Sequence, residues 1–196
     1  MYVKFNDLSR IHKPIIKSSM SSFEKVVENS QFVLNKDIQN FENEYADFTG
    51  QKYALGCANG TDALEIILRG LDIGAGDEVI IPVNTFIATA LAVSRTGATP
   101  VFVDHDEFYL IDIDQIERKV TKKTKAIIAV HLYGQMADMV GLKKIANNYK
   151  LHLIEDAAQA HGSSYLKSKV GDKSIAAAYS FYPGKNLGAW GDGGAV

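Results

Sequence analysis

The chain has 196 residues, room for one ordinary domain or two very small ones. Its composition, 46% hydrophobic and 22% charged, is that of a globular protein and excludes long disorder. Lysine and arginine (21) nearly balance aspartate and glutamate (23), and the formal charge of −2 leaves no global basic field to attract nucleic acid or an anionic membrane.

In chain order, the N-terminus Met1-Tyr2-Val3-Lys4-Phe5-Asn6-Asp7 lacks the apolar core of a signal peptide. The longest apolar runs, such as Val79-Ile80-Ile81-Pro82-Val83, fall far short of the ~18 residues of a spanning helix. A single cysteine, Cys57, can form no internal disulfide, so the expected compartment is the cytoplasm. Segments 22–30 and 36–48 carry apolar residues at helical spacing; Ile38, Phe41, Tyr45 and Phe48 make one stripe that Gly50 should end. Residues 1–50 therefore read as a helical arm that must cover a surface of its own domain or of a partner subunit.

From residue 53 the rhythm changes. Strands are expected at 53–57, 78–83, 100–104, 125–131, 151–156 and 176–182, and helices at 61–70, 85–95, 112–119 and 139–149. The apolar runs are continuous, as in Ala126-Ile127-Ile128-Ala129-Val130, which is the pattern of strands buried on both faces. The alternation predicts an α/β fold over residues 51–196, a mostly parallel sheet flanked by helices with right-handed crossovers. The segment Gly191-Asp192-Gly193-Gly194-Ala195-Val196 reads as a turn entering another strand, and the sequence is expected to be truncated there.

Open parallel sheets bind ligands at the carboxyl ends of their strands. Four segments lie there. In Ala58-Asn59-Gly60-Thr61-Asp62, Gly60 permits close backbone approach and Thr61 can cap the next helix; the free amides of that helix start suit a phosphate, although an ordinary cap needs the same residues. In Pro82-Val83-Asn84-Thr85-Phe86-Ile87-Ala88-Thr89, Phe86 is expected on the first helical turn, where it either joins the core or stacks on a bound ring.

The third segment, Leu151 to Gly162, ends a buried strand in Glu155-Asp156, which is costly unless a cation or hydrogen-bond donor faces at least one of them. Strand alternation puts the two on opposite faces, so they should not act as a pair. His152, His161 and these carboxylates show no standard ligand spacing, so no metal site is expected. The fourth segment, Tyr179 to Gly194, sets Lys185 between an apolar strand and a glycine-rich aromatic stretch. It is not a P-loop, because Tyr179 and Asn186 stand where that motif needs Gly and Ser or Thr. A phosphate site, a stacking ring, a strand-end carboxylate and a partly desolvated lysine are together what pyridoxal phosphate requires. The lysine makes a Schiff base with the aldehyde, and the carboxylate keeps the pyridine nitrogen protonated.

The segments Asn59-Gly60-Thr61-Asp62-Ala63-Leu64, Thr85-Phe86-Ile87-Ala88-Thr89, Val130-His131-Leu132-Tyr133-Gly134-Gln135, Glu155-Asp156-Ala157-Ala158-Gln159-Ala160-His161-Gly162 and Ser180-Phe181-Tyr182-Pro183-Gly184-Lys185-Asn186-Leu187-Gly188 resemble the DegT/DnrJ/EryC1/StrS sugar aminotransferases. The resemblance implies the aspartate-aminotransferase-like large domain, without the smaller C-terminal domain of the family. It implies Lys185 as the Schiff-base lysine, Asp156 as partner of the pyridine nitrogen, Gln159 beside the ring near its 3-hydroxyl, and Phe86 stacked on the other face. Gly60, Thr61 and Ser180 match the phosphate cradle.

By the same resemblance, a homodimer with shared sites converts the keto group of a nucleotide-linked sugar to an amine, with glutamate as the usual donor. The fragment alone is expected to be inactive. A related dehydratase branch carries histidine at the position of Lys185, so lysine favours transamination. The rivals are a dehydratase on the same scaffold, a non-catalytic regulatory relative, and a plain nucleotide-binding module.

Overall fold

The computed structural model describes residues 3–196, so Met1 and Tyr2 of the expected arm lie outside the described residues. Three helices open the chain: α1 (Leu8–His12), α2 (Ile16–Glu28) and α3 (Lys36–Thr49). The ends of α3 follow from local chemistry. Asn35 accepts a hydrogen bond from the Ile38 amide at 3.0 Å, and Gly50 stops the helix at φ 76°. Of its stripe, Tyr45 is buried and Phe41 meets Phe181 edge-on at 5.3 Å, whereas Ile38 and Phe48 remain exposed. The second helix starts at Ile16 rather than at 22, because Ser18, Ser19, Ser21 and Ser22 obscure its helical pattern without breaking it. It buries none of its residues, and Ile16, Met20, Phe23 and Val27 stand exposed.

The remaining elements are β1 (Gly56–Cys57), α4 (Gly60–Gly70), β2 (Glu78–Pro82), α5 (Ile87–Arg95), β3 (Thr99–Val103), α6 (Ile113–Ile116), β4 (Thr124–Val130), α7 (Met139–Tyr149), β5 (His152–Asp156), β6 (Ser164–Tyr165), β7 (Ser168–Lys169), β8 (Ala176–Ser180) and β9 (Gly194–Ala195). The seven-stranded sheet runs β1-β9-β8-β5-β4-β2-β3. The five strands from β8 to β3 are parallel, and β9 is antiparallel to both β8 and β1. The expected strand 53–57 shrinks to two residues, extended by reciprocal backbone bonds between Leu55 and Val196 at 2.8 and 2.9 Å. Expected helix 112–119 is one α turn followed by a 3₁₀ turn, Glu117–Lys119. The small β6–β7 hairpin was not anticipated: its turn residues, Leu166 and Lys167, hold φ of 50° and 64° without the usual Asn-Gly signal.

Continuous apolar strands make sense once both faces are covered. Val79, Ile81, Ile128 and Ile154 pack with Leu64 and Leu68 of α4 and Val93 of α5. Their neighbours Ile80, Ile127 and Leu153 pack on the other side with Leu142 and Ile145 of α7 and with Tyr45. Each fully buried Ile or Leu contributes about 1.5–3 kcal/mol relative to exposure. Among the described residues, no helix is long and apolar enough to cross a membrane.

Candidate active site

A cavity of about 740 Å³ opens where parallel strands end, and the last residues of β4, β5 and β8 (Val130, Asp156 and Ser180) all line it. The same cavity is lined by Gly60, Thr61, Phe86, Gln159 and Lys185, so every candidate residue read from the sequence meets in one place.

At the start of α4 the cap is Asn59, not Thr61. The Asn59 Oδ1 accepts from the Asp62 amide at 2.9 Å, and its extended backbone leaves Gly60 as the first helical residue and Thr61 inside the first turn. The glycine is required by packing, since a Cβ at position 60 would lie 2.8 Å from the Ser180 Cβ. Close approach of α4 to β8 thus brings a helix N-terminus and the Ser180 hydroxyl to one wall. Phe86 also differs from expectation: it occupies the N-cap position of α5 rather than the first turn, with ψ 143°, and the residue is 67% exposed. It belongs to no core and forms part of the cavity rim.

The two carboxylates of β5 face apart, as alternation requires. On the cavity side, Asp156 accepts from the Thr89 hydroxyl at 2.8 Å and from the Ala158 amide at 3.2 Å. Burial pushes its pKa up, and the Thr89 and Ala158 bonds, followed by the charge of Lys185, oppose that rise. On the other side, Glu155 lies 2.6 Å from His131 Nε2 and accepts from the Gly171 amide at 2.9 Å. His131 Nδ1 accepts from the Ala137 amide at 3.2 Å, so the ring proton sits on Nε2 and is donated to Glu155.

Lys185 follows β8 in a loop folded by its glycines: any side chain at 188 would meet the Pro183 carbonyl oxygen at 2.6 Å. Desolvation lowers the lysine pKa, and the negative charge of Asp156 opposes the fall. Gln159 is oriented by the Tyr133 amide, which donates to its Oε1 at 2.7 Å from a left-handed backbone, φ 59°. His161 is not placed as a ligand. Its Nε2 donates to the Ser180 carbonyl at 2.8 Å, which makes Nδ1 the acceptor from the Tyr45 hydroxyl at 2.6 Å. It ties α3 to the end of β8. Among the described residues, no group of three or more His, Cys, Asp or Glu side chains is arranged to hold a metal ion.

Sequence reasoning missed Thr85, Thr89, His131 and Tyr182, which belong to the site. The available signal was a polar residue where an apolar one would serve. Thr89 is fully buried with only Ala, Leu, Val and Ile beside it from Ile87 to Val93, and His131 directly follows the apolar run of β4.

Comparison with known proteins agrees with this geometry. The model of the DegT/DnrJ/EryC1/StrS aminotransferase family matches residues 14–196. The dTDP-3-amino-3,6-dideoxy-alpha-D-galactopyranose transaminase of Aneurinibacillus thermoaerophilus is 50% identical over 195 residues, covering 99% of this chain and 54% of the relative. The crystal structure of Streptomyces venezuelae DesV in complex with a ketimine intermediate superposes with a TM-score of 0.95 at 44% identity, covering 98% of this chain and 52% of that one. NtdA of Bacillus subtilis with bound cofactor PMP gives a TM-score of 0.93 at 36% identity, covering 98% and 44%. The chain spans about half the length of the curated relatives it matches. Sequence, fold and the convergence of its motifs on one cavity agree: the chain belongs to the DegT/DnrJ/EryC1/StrS aminotransferase family.

Proposed function

We propose that the full-length protein is a pyridoxal-phosphate-dependent aminotransferase that moves an amino group from an amino-acid donor, glutamate, to the keto group of a nucleotide-linked sugar. The observation that carries this reading is the meeting of Lys185 and Asp156 in one cavity, close enough to perturb each other's titration. The residues fit the cofactor. The cavity of about 740 Å³ has a helix N-terminus and Ser180 on one wall for a phosphate, an acid held as an acceptor, and an amine weakened as a base. When bound, the cofactor supplies an electron sink for the negative charge that develops at the carbon being aminated or deaminated.

The roles of the side chains follow from their surroundings. Lys185 would hold the cofactor through its aldehyde, and the burial that lowers its pKa would suit the freed amine to carry a proton between donor and cofactor carbons. Asp156 would keep the ring nitrogen of the bound cofactor protonated. Gly60, Thr61 and Ser180 form the phosphate cradle with the first amides of α4. Phe86, on the cavity rim, would cover one face of the cofactor ring, and Gln159, its Oε1 taken by the Tyr133 amide, would present its amide hydrogens to the ring's 3-hydroxyl.

The same reading treats residues 1–50 as an arm and 51–196 as the cofactor-binding domain of a cytoplasmic homodimer. The exposed apolar row Ile16, Met20, Phe23 and Val27 on α2 supports a partner surface for the arm.

The test is incubation of the full-length protein with a keto-sugar nucleotide and glutamate. Transamination releases 2-oxoglutarate in equal amount to the amino-sugar, whereas a dehydratase forms product without it. Borohydride reduction followed by mass mapping should fix the cofactor on Lys185 and on no residue of Lys185→Ala. A protein that fixes none is a regulatory relative.

A further inference from the structure

Asp156 is held from α5 by a chain of two hydroxyls. Thr89, fully buried, contacts Asp156 Oδ2 at 2.8 Å, and Thr85 contacts Thr89 at 2.8 Å between hydroxyl oxygens. We propose that Thr85 and Thr89 form a one-directional hydrogen-bond relay that fixes the Asp156 carboxylate as an acceptor in one orientation at the cavity floor, and that both are positioning residues for the cofactor nitrogen's partner. This rests on the function proposed above.

The direction follows from counting protons. An ionised carboxylate has no hydrogen to give, so Thr89 must donate to Asp156. That uses the only hydroxyl hydrogen of Thr89, so the second contact must run from Thr85 to Thr89. Protonation of Asp156 would remove the reason for this order. The carboxylate charge and the chain direction are therefore coupled. A buried hydroxyl without a partner is costly, and valine has nearly the same shape, so packing alone gives no reason for threonine at 89.

The other titratable or charged groups that act on Asp156 are Lys185, from the loop after β8, and His131, at the end of β4. Its own chain adds the Ala158 amide, which binds Oδ1 and leaves Oδ2 to Thr89. Glu155, its neighbour on β5, binds His131 and Gly171 on the opposite side.

The test uses the full-length protein. Carbon-13 NMR of the Asp156 carboxyl, followed against pH without added cofactor, should show that Thr89→Val raises its proton affinity about tenfold or more, the effect of losing a hydrogen bond to a charged group. Thr89→Ser should restore the wild-type titration, and Thr85→Val should shift it in the same direction by a smaller factor. Turnover of the holoenzyme should fall with Thr89→Val and recover with Thr89→Ser. An unchanged Asp156 titration in both valine variants overturns the relay. If Thr89→Val does not fold, Thr85→Val decides the matter alone. Because the titration needs no cofactor, failure of wild-type protein to bind pyridoxal phosphate would sink the proposed function while leaving this measurement valid.

Discussion

Glu155 and Asp156 are adjacent on β5 and both buried, yet the two sides of the sheet treat them differently. Glu155 has a partner for each oxygen, His131 and the Gly171 amide, and does not itself line the cavity. Asp156 also has a donor for each oxygen, but burial still drives its pKa upward, and the cavity with Lys185 lies on its side. A buried acid closed in by partners of its own fold is a structural element. One that lines an open cavity beside a lysine is placed to meet a cationic ligand.

Substitution of each acid in the full-length protein separates the two sides most sharply. Asp156→Ala should lower transamination by about 10²–10⁴-fold, the range of a lost proton-handling group, with the fold retained. Glu155→Ala should do the reverse. It leaves His131 and Gly171 unpaired, lowers stability in urea by about 3 kcal/mol, and leaves the folded fraction able to bind the cofactor. Equal losses of activity and stability in both variants would erase the distinction.

On the cavity side, Gly60→Ala should cost about 1–3 kcal/mol by overpacking against Ser180, although alanine is the better helix former. Adding Ser180→Gly should recover much of that loss in thermal melts. If the single variant is as stable as the parent, α4 does not approach β8 as closely as the geometry requires.

Lys185 gives a prediction with a defined pH sign. Its folded pKa is below the ordinary 10.5, so the stability tied to its neutral form is present above 10.5 and is lost as pH falls through the folded value. Lys185→Met should therefore raise the melting temperature of the cofactor-free protein near neutral pH. The advantage should vanish as pH approaches 10.5. The smallest effect is expected from Asn59→Ala, about 1 kcal/mol from the lost cap, against no cap effect for Thr61→Ala.

The fold was legible where one segment decides its own state. Asn35 and Gly50 bracket α3, and the unbroken apolar run of β4 announces a strand covered on both faces. The candidate residues Lys185, Asp156 and Gly60 were legible as residue types after strand ends, Ser180 came only from the family resemblance, and all four line one cavity. Errors arose where a contact outside the segment chose among local options. Asn59 and Thr61 can each cap a helix, and the packing of Gly60 on Ser180 decided between them. An aromatic after a strand can enter the core or the rim, and the late start of α5 put Phe86 on the rim.

By itself, the sequence determined the alternation of strands and helices, the opposite facing of Glu155 and Asp156, and the kinds of group available for chemistry, since these depend on backbone period and side-chain type. Tertiary structure alone decided the pairings of Thr89 with Asp156, of His131 with Glu155 and of Tyr45 with His161, which lie 67, 24 and 116 residues apart. Such pairs depend on strand register and helix docking, which collect contributions from the whole core, and a hydrogen bond is lost when either shifts by an ångström.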